Sequence, residues 1–324
     1  MNDERVNEEI VTMFLFNTCR PRPRLSLSAA QAIIEHCQAA SKPPDDDLKT
    51  HWIPLTTGSA AEFYIEPMYL PHIGDIDVML HHSILLAIPQ GHPPPTELPV
   101  EFHNYVQVYE IIDSHLPGYV YLPLRYLLTV CSDDNTYKAV QYDEVAHLSN
   151  RFSHGNNDTH GPAVVNIRLI GLPCDIVRCV RCLVWPSQAG DWPTRRRNYG
   201  WPDSATADDV VSNGCDVVGV AHRKCREDIW KDKHQYRLSF SRAEIVLLNS
   251  WMPVQQIIYH MLRVFVKTER LTESVDKSKA GALSNYHIKT LMLWQCERKS
   301  RIWWTDDLSL VRICVELLHE LAHC

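Results

Sequence analysis

The sequence contains no run of about eighteen apolar residues, the length that a membrane-spanning helix needs. It also has no excess of positive charge, since 32 lysines and arginines stand against 39 aspartates and glutamates, a net charge of −7. No internal repeat is present. These absences argue against a membrane-spanning chain, a chain that is basic throughout and a repeat array.

The composition is typical of a folded globular protein. Of 324 residues, 45% are apolar and 22% are charged, enough for a sizeable core and too apolar for a disordered chain. No charged-then-apolar leader precedes the first polar residues. We therefore expect an intracellular protein, cytoplasmic with the nucleus left open, whose eleven cysteines are mostly free thiols.

Hydrophobic periodicity predicts helices, then a strand-rich middle, then a helical end. Helices are predicted at 3–19 and 26–40. Strands are predicted at 75–80, 105–111, 119–122, 126–131, 164–170, 175–184 and 235–241. Further helices are predicted at 254–269, 284–296 and 305–323. The pattern indicates an α+β fold with a mixed sheet, and we expect two lobes with a cleft between them.

Gly58 and Ser59 open the pattern Ser59-Ala-Ala-Glu62, which is typical of a helix start. The same geometry presents backbone N–H groups and a hydroxyl to a phosphate. A helix cap and a phosphate-binding turn are therefore compatible interpretations.

Aspartates on predicted strands are the main candidates for chemistry. Asp75 and Asp77 are two residues apart, so both carboxylates leave the same face of a strand. Such a pair repels unless a cation lies between its members, although a solvated strand face is the alternative. Asp175 stands at the head of an apolar strand, where a carboxylate is costly unless paired or metal-bound. Together the three acids predict a two-metal site for phosphoryl or nucleotidyl transfer.

Two other motifs have weaker signals. Arg237, Ser239 and Ser241 alternate on one face of a predicted strand, which is typical of a half-exposed strand and compatible with a nucleotide site. Tyr286 lies in the first turn of a predicted helix, where it could pack or stack on a base.

Thiol and histidine chemistry has little support. Cys179 and Cys182 have zinc-like spacing, but on a strand they face opposite sides and no second ligand pair follows. We expect them to be small buried hydrophobic residues. The 17 histidines form no recognisable ligand set, and a Ser-His-Asp or Cys-His nucleophile stays open without a supporting motif.

The order of the motifs resembles one protein family. The motifs are Gly58-Ser59, Gly74-Asp-Ile-Asp-Val-Met79, Gly161-Pro-Ala-Val, Cys174-Asp-Ile-Val, Trp201-Pro, Arg237-Leu-Ser-Phe-Ser241 and Asn285-Tyr-His-Ile-Lys-Thr290. In this order they resemble the cGAS-like receptors, nucleotidyltransferases that include cyclic GMP-AMP synthase and the male-abnormal-21-like proteins. The resemblance covers the chain from about Leu55 onwards. It implies a bilobal nucleotidyltransferase fold, with N-terminal helices including a spine helix at 1–55, a mixed-sheet core lobe at 56–200 and a mainly helical lobe at 201–324 that completes the active-site cleft.

The resemblance also implies roles for individual residues. Asp75, Asp77 and Asp175 match the catalytic acids that bind Mg²⁺ or Mn²⁺, and all three are present, so a competent enzyme is expected. The nucleotide-binding positions implied are Gly58, Ser59, Arg223, Arg237, Ser239, Ser241 and Tyr286. The implied substrates are ATP and a second NTP. The implied product is a cGAMP-like cyclic dinucleotide with 2′–5′/3′–5′ linkages, made in antiviral innate immunity for a STING-like receptor.

Departures from the family qualify these expectations. The His and Cys insertion of cyclic GMP-AMP synthase is missing after Ser241, so we expect no zinc. A threonine and a lysine that contact bases in the family are replaced by Val177 and Tyr259, which leaves the second nucleotide open.

The resemblance also implies a sensor that is activated when double-stranded nucleic acid binds. Residues 178–242 carry twelve lysines and arginines against eight acids, which gives this segment an excess of positive charge. The predicted phosphate contacts are Arg20, Arg22, Arg24, Arg195, Arg196 and Arg197. Without the zinc insertion, we expect double-stranded RNA, read by shape, to be favoured over double-stranded DNA.

Two alternatives to this enzyme stay open. One is a catalytically silent male-abnormal-21-like binding or adaptor protein of the same fold. The other is a nucleotidyltransferase that elongates RNA, as a poly(A) polymerase does, and its linear product would distinguish it.

Overall fold

A computed structural model describes most of the chain. The described residues are 52–63, 76–144, 146–150, 159–160, 163–169, 172–225, 227–269, 271, 283–305 and 310–323, together with Val6, Ile10 and Met13. Those three N-terminal residues are helical and exposed, in agreement with the helix predicted at 3–19. The helix predicted at 26–40 lies outside the described residues.

The fold is α+β, with one large mixed sheet. Its strands are β1 (Trp52–Thr57), β2 (Ile76–Pro89), β3 (Tyr105–Asp113), β4 (Tyr119–Tyr121), β5 (Leu124–Val130), β6 (Tyr137–Gln141), β7 (Thr159–His160), β8 (Ala163–Leu169), β9 (Leu172–Cys182), β10 (Cys215–Gly219) and β11 (Gln235–Ser239). The helices are α1 (Gly58–Phe63), α2 (Ser204–Ser212), α3 (Ile229–His234), α4 (Ser241–Asn249), α5 (Pro253–Thr268), α6 (Asn285–Arg298), α7 (Arg301–Thr305) and α8 (Leu310–Ala322).

The sheet closes on itself. Strand β2 runs parallel to both β3 and β9, and the antiparallel pairs β3–β4, β4–β11, β11–β10 and β10–β9 complete a ring. One hydrophobic cluster takes buried side chains from every strand of this ring, among them Leu85, Ile111, Val120, Val180 and Val217. The ring therefore surrounds a core, which holds the strands that carry the predicted acids in fixed register.

The described residues form two compact units. The first unit contains the described residues within 1–23, 194–207 and 247–324. The second unit contains the described residues within 24–193 and 208–246, and these include the ring of strands. The first unit is built on α5 to α8, whose buried side chains include Ile258, Met292, Trp304 and Leu317. In the described part of the chain, no helix has the length and apolar character needed to cross a bilayer. The division at residues 55 and 200 stays a prediction.

Most predicted strands and helices are present, but several boundaries differ from the prediction, and the strand predicted at 75–80 extends to Pro89 as β2. The strand predicted at 235–241 ends at Ser239, because the Phe240 carbonyl accepts a hydrogen bond from the Glu244 N–H and thereby starts α4. Of the helix predicted at 305–323, α8 accounts for Leu310–Ala322, Thr305 is the last residue of α7, and residues 306–309 lie outside the described residues.

The predicted environment of the zinc-like cysteine pair is confirmed. Cys179 and Cys182 are both buried on β9. They belong to different hydrophobic clusters, as expected for residues on opposite faces of a strand.

Candidate active site

Two of the three predicted acids lie directly beside each other. Asp77 on β2 is the register partner of Asp175 on the parallel strand β9. Register partners in neighbouring strands leave the same face of the sheet, so both carboxylates lie on one side. Both residues are half-buried. Asp75 lies outside the described residues, as the residue just before β2.

The Gly-Ser turn lies against this acid pair. Thr57, the last residue of β1, is the register partner of Asp77, and its hydroxyl donates a hydrogen bond of 3.4 Å to the Asp77 carbonyl. Gly58 follows with φ of +62°, and a Cβ there would lie 2.8 Å from Cγ of Asp77 and closer still to Oδ2. Only glycine fits this conformation and this approach together. Helix α1 begins here, one residue before the predicted Ser59.

The serines predicted to bind nucleotide lie on the same side of β2 as Asp77. The Ser239 hydroxyl lies 3.1 Å from the Ser241 hydroxyl and 3.9 Å from the sulfur of Met79. Met79 follows Asp77 by two residues on β2, so the two side chains share a face. Ser239 and Ser241 are adjacent in space although Ser241 is helical and not part of the strand.

The remaining predicted nucleotide contacts are exposed. Arg237 extends over the ring of Tyr119, with its guanidinium carbon 5.3 Å from the ring centroid. Arg223 is exposed in a short 3-10 turn at Arg223–Cys225. Tyr286 lies in the first turn of α6, in the other unit, and is 62% exposed, so it is not a packing residue.

The predicted nucleic-acid contacts differ in their surroundings. Arg195 forms an ion pair with Glu297, and its guanidinium lies 4.9 Å above the ring of Trp294. Arg196 is exposed, whereas Arg197 is partly buried, and this burial lowers its pKa. The arginines at 20, 22 and 24 lie outside the described residues.

A buried charge network was missed by sequence reasoning. Asp216 on β10 is fully buried and accepts a hydrogen bond of 2.8 Å from Nε of Arg242. Burial alone would raise the pKa of Asp216, but the charges of Arg242 and Arg181 hold it below its usual value. The missed signal is an acid inside the apolar run Cys215-Asp-Val-Val, where a carboxylate requires a partner.

This network supports the serine pair. Asp216 is the register partner of Ser239, and Arg242 directly follows Ser241 at the start of α4. The Arg242–Asp216 ion pair therefore fixes the first turn of α4 to β10. Behind it, His81 is buried, its pKa is lowered to about 4 by that burial, and its ring nitrogens have no hydrogen-bond partner among the described residues.

The described residues alone do not complete a metal centre. No group of three or more His, Cys, Asp or Glu side chains in the described part of the chain is arranged to hold a metal ion. The paired carboxylates of Asp77 and Asp175 supply the oxygen donors that a hard divalent cation prefers, and Asp75 would be the third ligand. The two described carboxylates therefore have the donor chemistry that Mg²⁺ or Mn²⁺ requires.

Two family models match consecutive parts of the chain. The Mab-21 protein nucleotidyltransferase domain matches residues 153–250, which include Asp175 and the serine pair. The Mab-21 protein HhH/H2TH-like domain matches residues 254–324, which include α5 from its second residue and all of α6 to α8.

Proposed function

The chain belongs to the cGAS/Mab-21 family, and we propose that it is an active nucleotidyltransferase that makes a cyclic dinucleotide when double-stranded nucleic acid binds. The observation that carries this proposal is the register of Asp77 opposite Asp175, with Gly58 held against the Asp77 carboxylate. A helix start beside two paired carboxylates brings phosphate-binding N–H groups and metal ligands to one place.

The acids would hold the metal. Asp77 and Asp175, with Asp75, would bind Mg²⁺ or Mn²⁺ through carboxylate oxygens. When bound, such ions stabilise the charge on the attacking and leaving oxygens of a nucleotidyl transfer. In this proposal Asp175 also accepts the proton of the attacking ribose hydroxyl, which raises the nucleophilicity of that oxygen.

The other residues would bind and orient the substrates, ATP and a second NTP. The N–H groups of the Gly58-Ser59 turn bind phosphate oxygens. Arg237 contributes a cation beside the hydroxyls of Ser239 and Ser241, which the Arg242–Asp216 ion pair holds in place. Arg223 is a further exposed cation in the same unit, and Tyr286 is exposed enough to stack on a base.

Double-stranded RNA is the proposed activator, in preference to DNA. Within the arginine triplet, Arg196 is the exposed member, whereas Arg195 is held by Glu297 and Trp294. We therefore assign the phosphate contact of this segment mainly to Arg196. The product would be a cGAMP-like messenger for a STING-like receptor, made in the cytoplasm as part of antiviral defence, by an enzyme that needs no zinc.

The test is an incubation of the purified chain with labelled NTPs and Mg²⁺ or Mn²⁺, with and without duplex RNA or DNA. The expected result is a phosphatase-resistant cyclic product that requires one type of duplex and is lost in Asp175→Asn. Asp143→Asn, which changes an exposed acid in the same unit, is the control and should keep full activity. No product under any condition, from protein that is folded, would contradict the proposal.

The second candidate is a binding or adaptor protein without catalysis, because the family includes inactive members. The paired carboxylates favour the enzyme over this candidate, because they supply the oxygen donors that a divalent cation prefers. In that case Asp175→Asn should leave partner binding unchanged, and no nucleotide should turn over. A linear product would instead indicate a nucleotidyltransferase that elongates RNA.

A further inference from the structure

A pocket lies wholly in the unit that contains α5 to α8, and neither Asp77 nor Asp175 lines it. It has a volume of about 200 Å³ and is formed by residues 199–206 together with the ends of α5, α6 and α7. Its walls include Tyr199 and Trp201. No residue predicted to bind metal, nucleotide or nucleic acid lines this pocket.

The pocket has more hydrogen-bond donors than acceptors. Lys299 and Arg301 contribute two cations to the lining. Trp304 forms another wall and is only 1% exposed, and its indole N–H has no acceptor in the described part of the chain. A buried donor without an acceptor is costly, and an acceptor supplied by a ligand would remove that cost.

Helix α5 adds positive potential at the same place. It runs for 16 residues from Pro253, and Met252 and Gln255 at its start line the pocket. The Gln255 side chain accepts the Met252 N–H at 2.8 Å and satisfies one of the free groups at this end. The dipole of a helix of this length still favours an anion near its N-terminus.

The acids near the pocket are already engaged. Asp203 also lines the pocket, and its carboxylate accepts the Thr206 N–H at 2.7 Å; the hydrogen bonds from Thr206 lower its pKa and keep it negative, so the two cations leave the lining with an excess of one positive charge. Glu320 lies 3.6 Å from the Lys299 ammonium, outside the lining residues. For Arg301 no ion pair is found among the residues that the structure describes, so one cation of the pocket is available to a ligand.

We propose that this pocket binds a small phosphate monoester. The phosphate would accept hydrogen bonds from Arg301, Lys299 and the Trp304 indole, and the aromatic walls would cover the rest of the ligand. A volume of about 200 Å³ equals about six or seven water molecules, so a phosphorylated sugar fits and a nucleoside triphosphate does not.

The experiment is calorimetric titration of the full chain with ribose 5-phosphate, inorganic phosphate and ribose. Ribose 5-phosphate should bind with 1:1 stoichiometry, phosphate more weakly, and ribose not at all. Arg301→Gln should weaken binding of ribose 5-phosphate at least tenfold, because a charge-assisted hydrogen bond is lost. The control Arg298→Gln removes a neighbouring exposed cation outside the pocket and should not change binding.

Further variants separate this pocket from other phosphate sites. Arg237→Gln tests the nucleotide site of the other unit and should leave the affinity for ribose 5-phosphate unchanged. Trp304→Phe keeps the ring, removes the indole N–H and should weaken binding about tenfold. Because Trp304 is buried, its variant is compared only if circular dichroism shows a folded chain; the exposed Arg301 keeps the test valid otherwise.

Several outcomes would overturn the proposal. One is an absence of saturable binding at millimolar ribose 5-phosphate. Another is an affinity for ribose 5-phosphate that falls as much in Arg298→Gln as in Arg301→Gln, and a third is an affinity that falls only in Arg237→Gln. A 5′-phosphorylated oligonucleotide that binds more tightly than ribose 5-phosphate, with the same dependence on Arg301, would also overturn it. The ligand would then be the 5′-phosphate end of a nucleic-acid strand and not a small molecule.

Discussion

Replacing Gly58 with alanine perturbs the geometry of the acid pair without removing a carboxylate. At φ of +62°, an L-residue costs about 1–2 kcal/mol. The new Cβ would also lie 2.8 Å from Cγ of Asp77, whereas carbon atoms prefer about 3.5–4.0 Å, so the Asp77 side chain has to move by about 1 Å. A displacement of about 1 Å at a reacting centre can lower a rate about 100-fold.

Gly118 offers a matched control, because its φ is +78° and an added Cβ there would have no neighbour within 4 Å. In urea unfolding, Gly118→Ala should lower the free energy of unfolding by about 1–2 kcal/mol, because of backbone strain alone. Gly58→Ala should lower the free energy of unfolding by about 1–3 kcal/mol more than Gly118→Ala, because the added methyl group overpacks the site. Nucleotidyl transfer should fall about 100-fold in Gly58→Ala and remain near the original rate in Gly118→Ala.

A double mutant isolates the clash. Asp77→Ala removes the carboxylate but keeps the Cβ of residue 77, which lies 3.1 Å from the methyl group that Gly58→Ala adds. In the Asp77→Ala background, Gly58→Ala should therefore lower the free energy of unfolding by less than it does in the original chain. The close approach of Gly58 to the Asp77 carboxylate is wrong if two results are found together. Gly58→Ala would lower the free energy of unfolding by no more than Gly118→Ala does, and by the same amount with and without the Asp77 carboxylate.

The remaining predictions concern the buried network and the exposed tyrosine. Asp216→Asn should destabilise the chain by about 3–5 kcal/mol, because Arg242 loses its buried counter-charge, and chemical denaturation measures this. His81 has its folded pKa lowered to about 4 from 6.5, so the unfolded chain binds its proton first and stability should fall by about 3 kcal/mol as pH decreases from 6.5 to 4. In His81→Gln that pH dependence should flatten, whereas the exposed His92→Gln should keep it. Tyr286→Ala should leave the melting temperature unchanged and raise KM for NTP about fivefold, because a 62% exposed ring contributes stacking but little packing.

Sequence patterns predicted which side chains share a face better than which strands are neighbours. Alternation along a strand placed Asp77 apart from the apolar Val78, which is buried as expected. The register of Asp77 with Asp175 could not be predicted, because pairing of distant strands depends on the whole ring. The strand-like alternation of Ser239 and Ser241 was misleading, since a hydrogen bond from Glu244 to Phe240 starts α4 inside that pattern.

Asp216 shows a signal that was present and not used. It is an acid within an apolar run, as Asp175 is, and the same argument predicts a partner for it. Local sequence could not identify that partner as Arg242, which lies on the helix after the next strand. Whether the three predicted acids form one centre stays a prediction, because Asp75 lies outside the described residues.

The parallel pairing of β2 with β9 also has a consequence for the order of folding. These strands are separated in the chain by β3 to β8, so the contact between Asp77 and Asp175 requires the closure of a long loop. Such non-local pairings form slowly, because the loop entropy is lost before the contacts compensate for it. During synthesis, the chain can display the Gly58 turn and Asp77 well before β9 has emerged from the ribosome. The acid pair therefore becomes complete late, and a nascent or truncated chain that stops before β9 is unable to perform the proposed reaction.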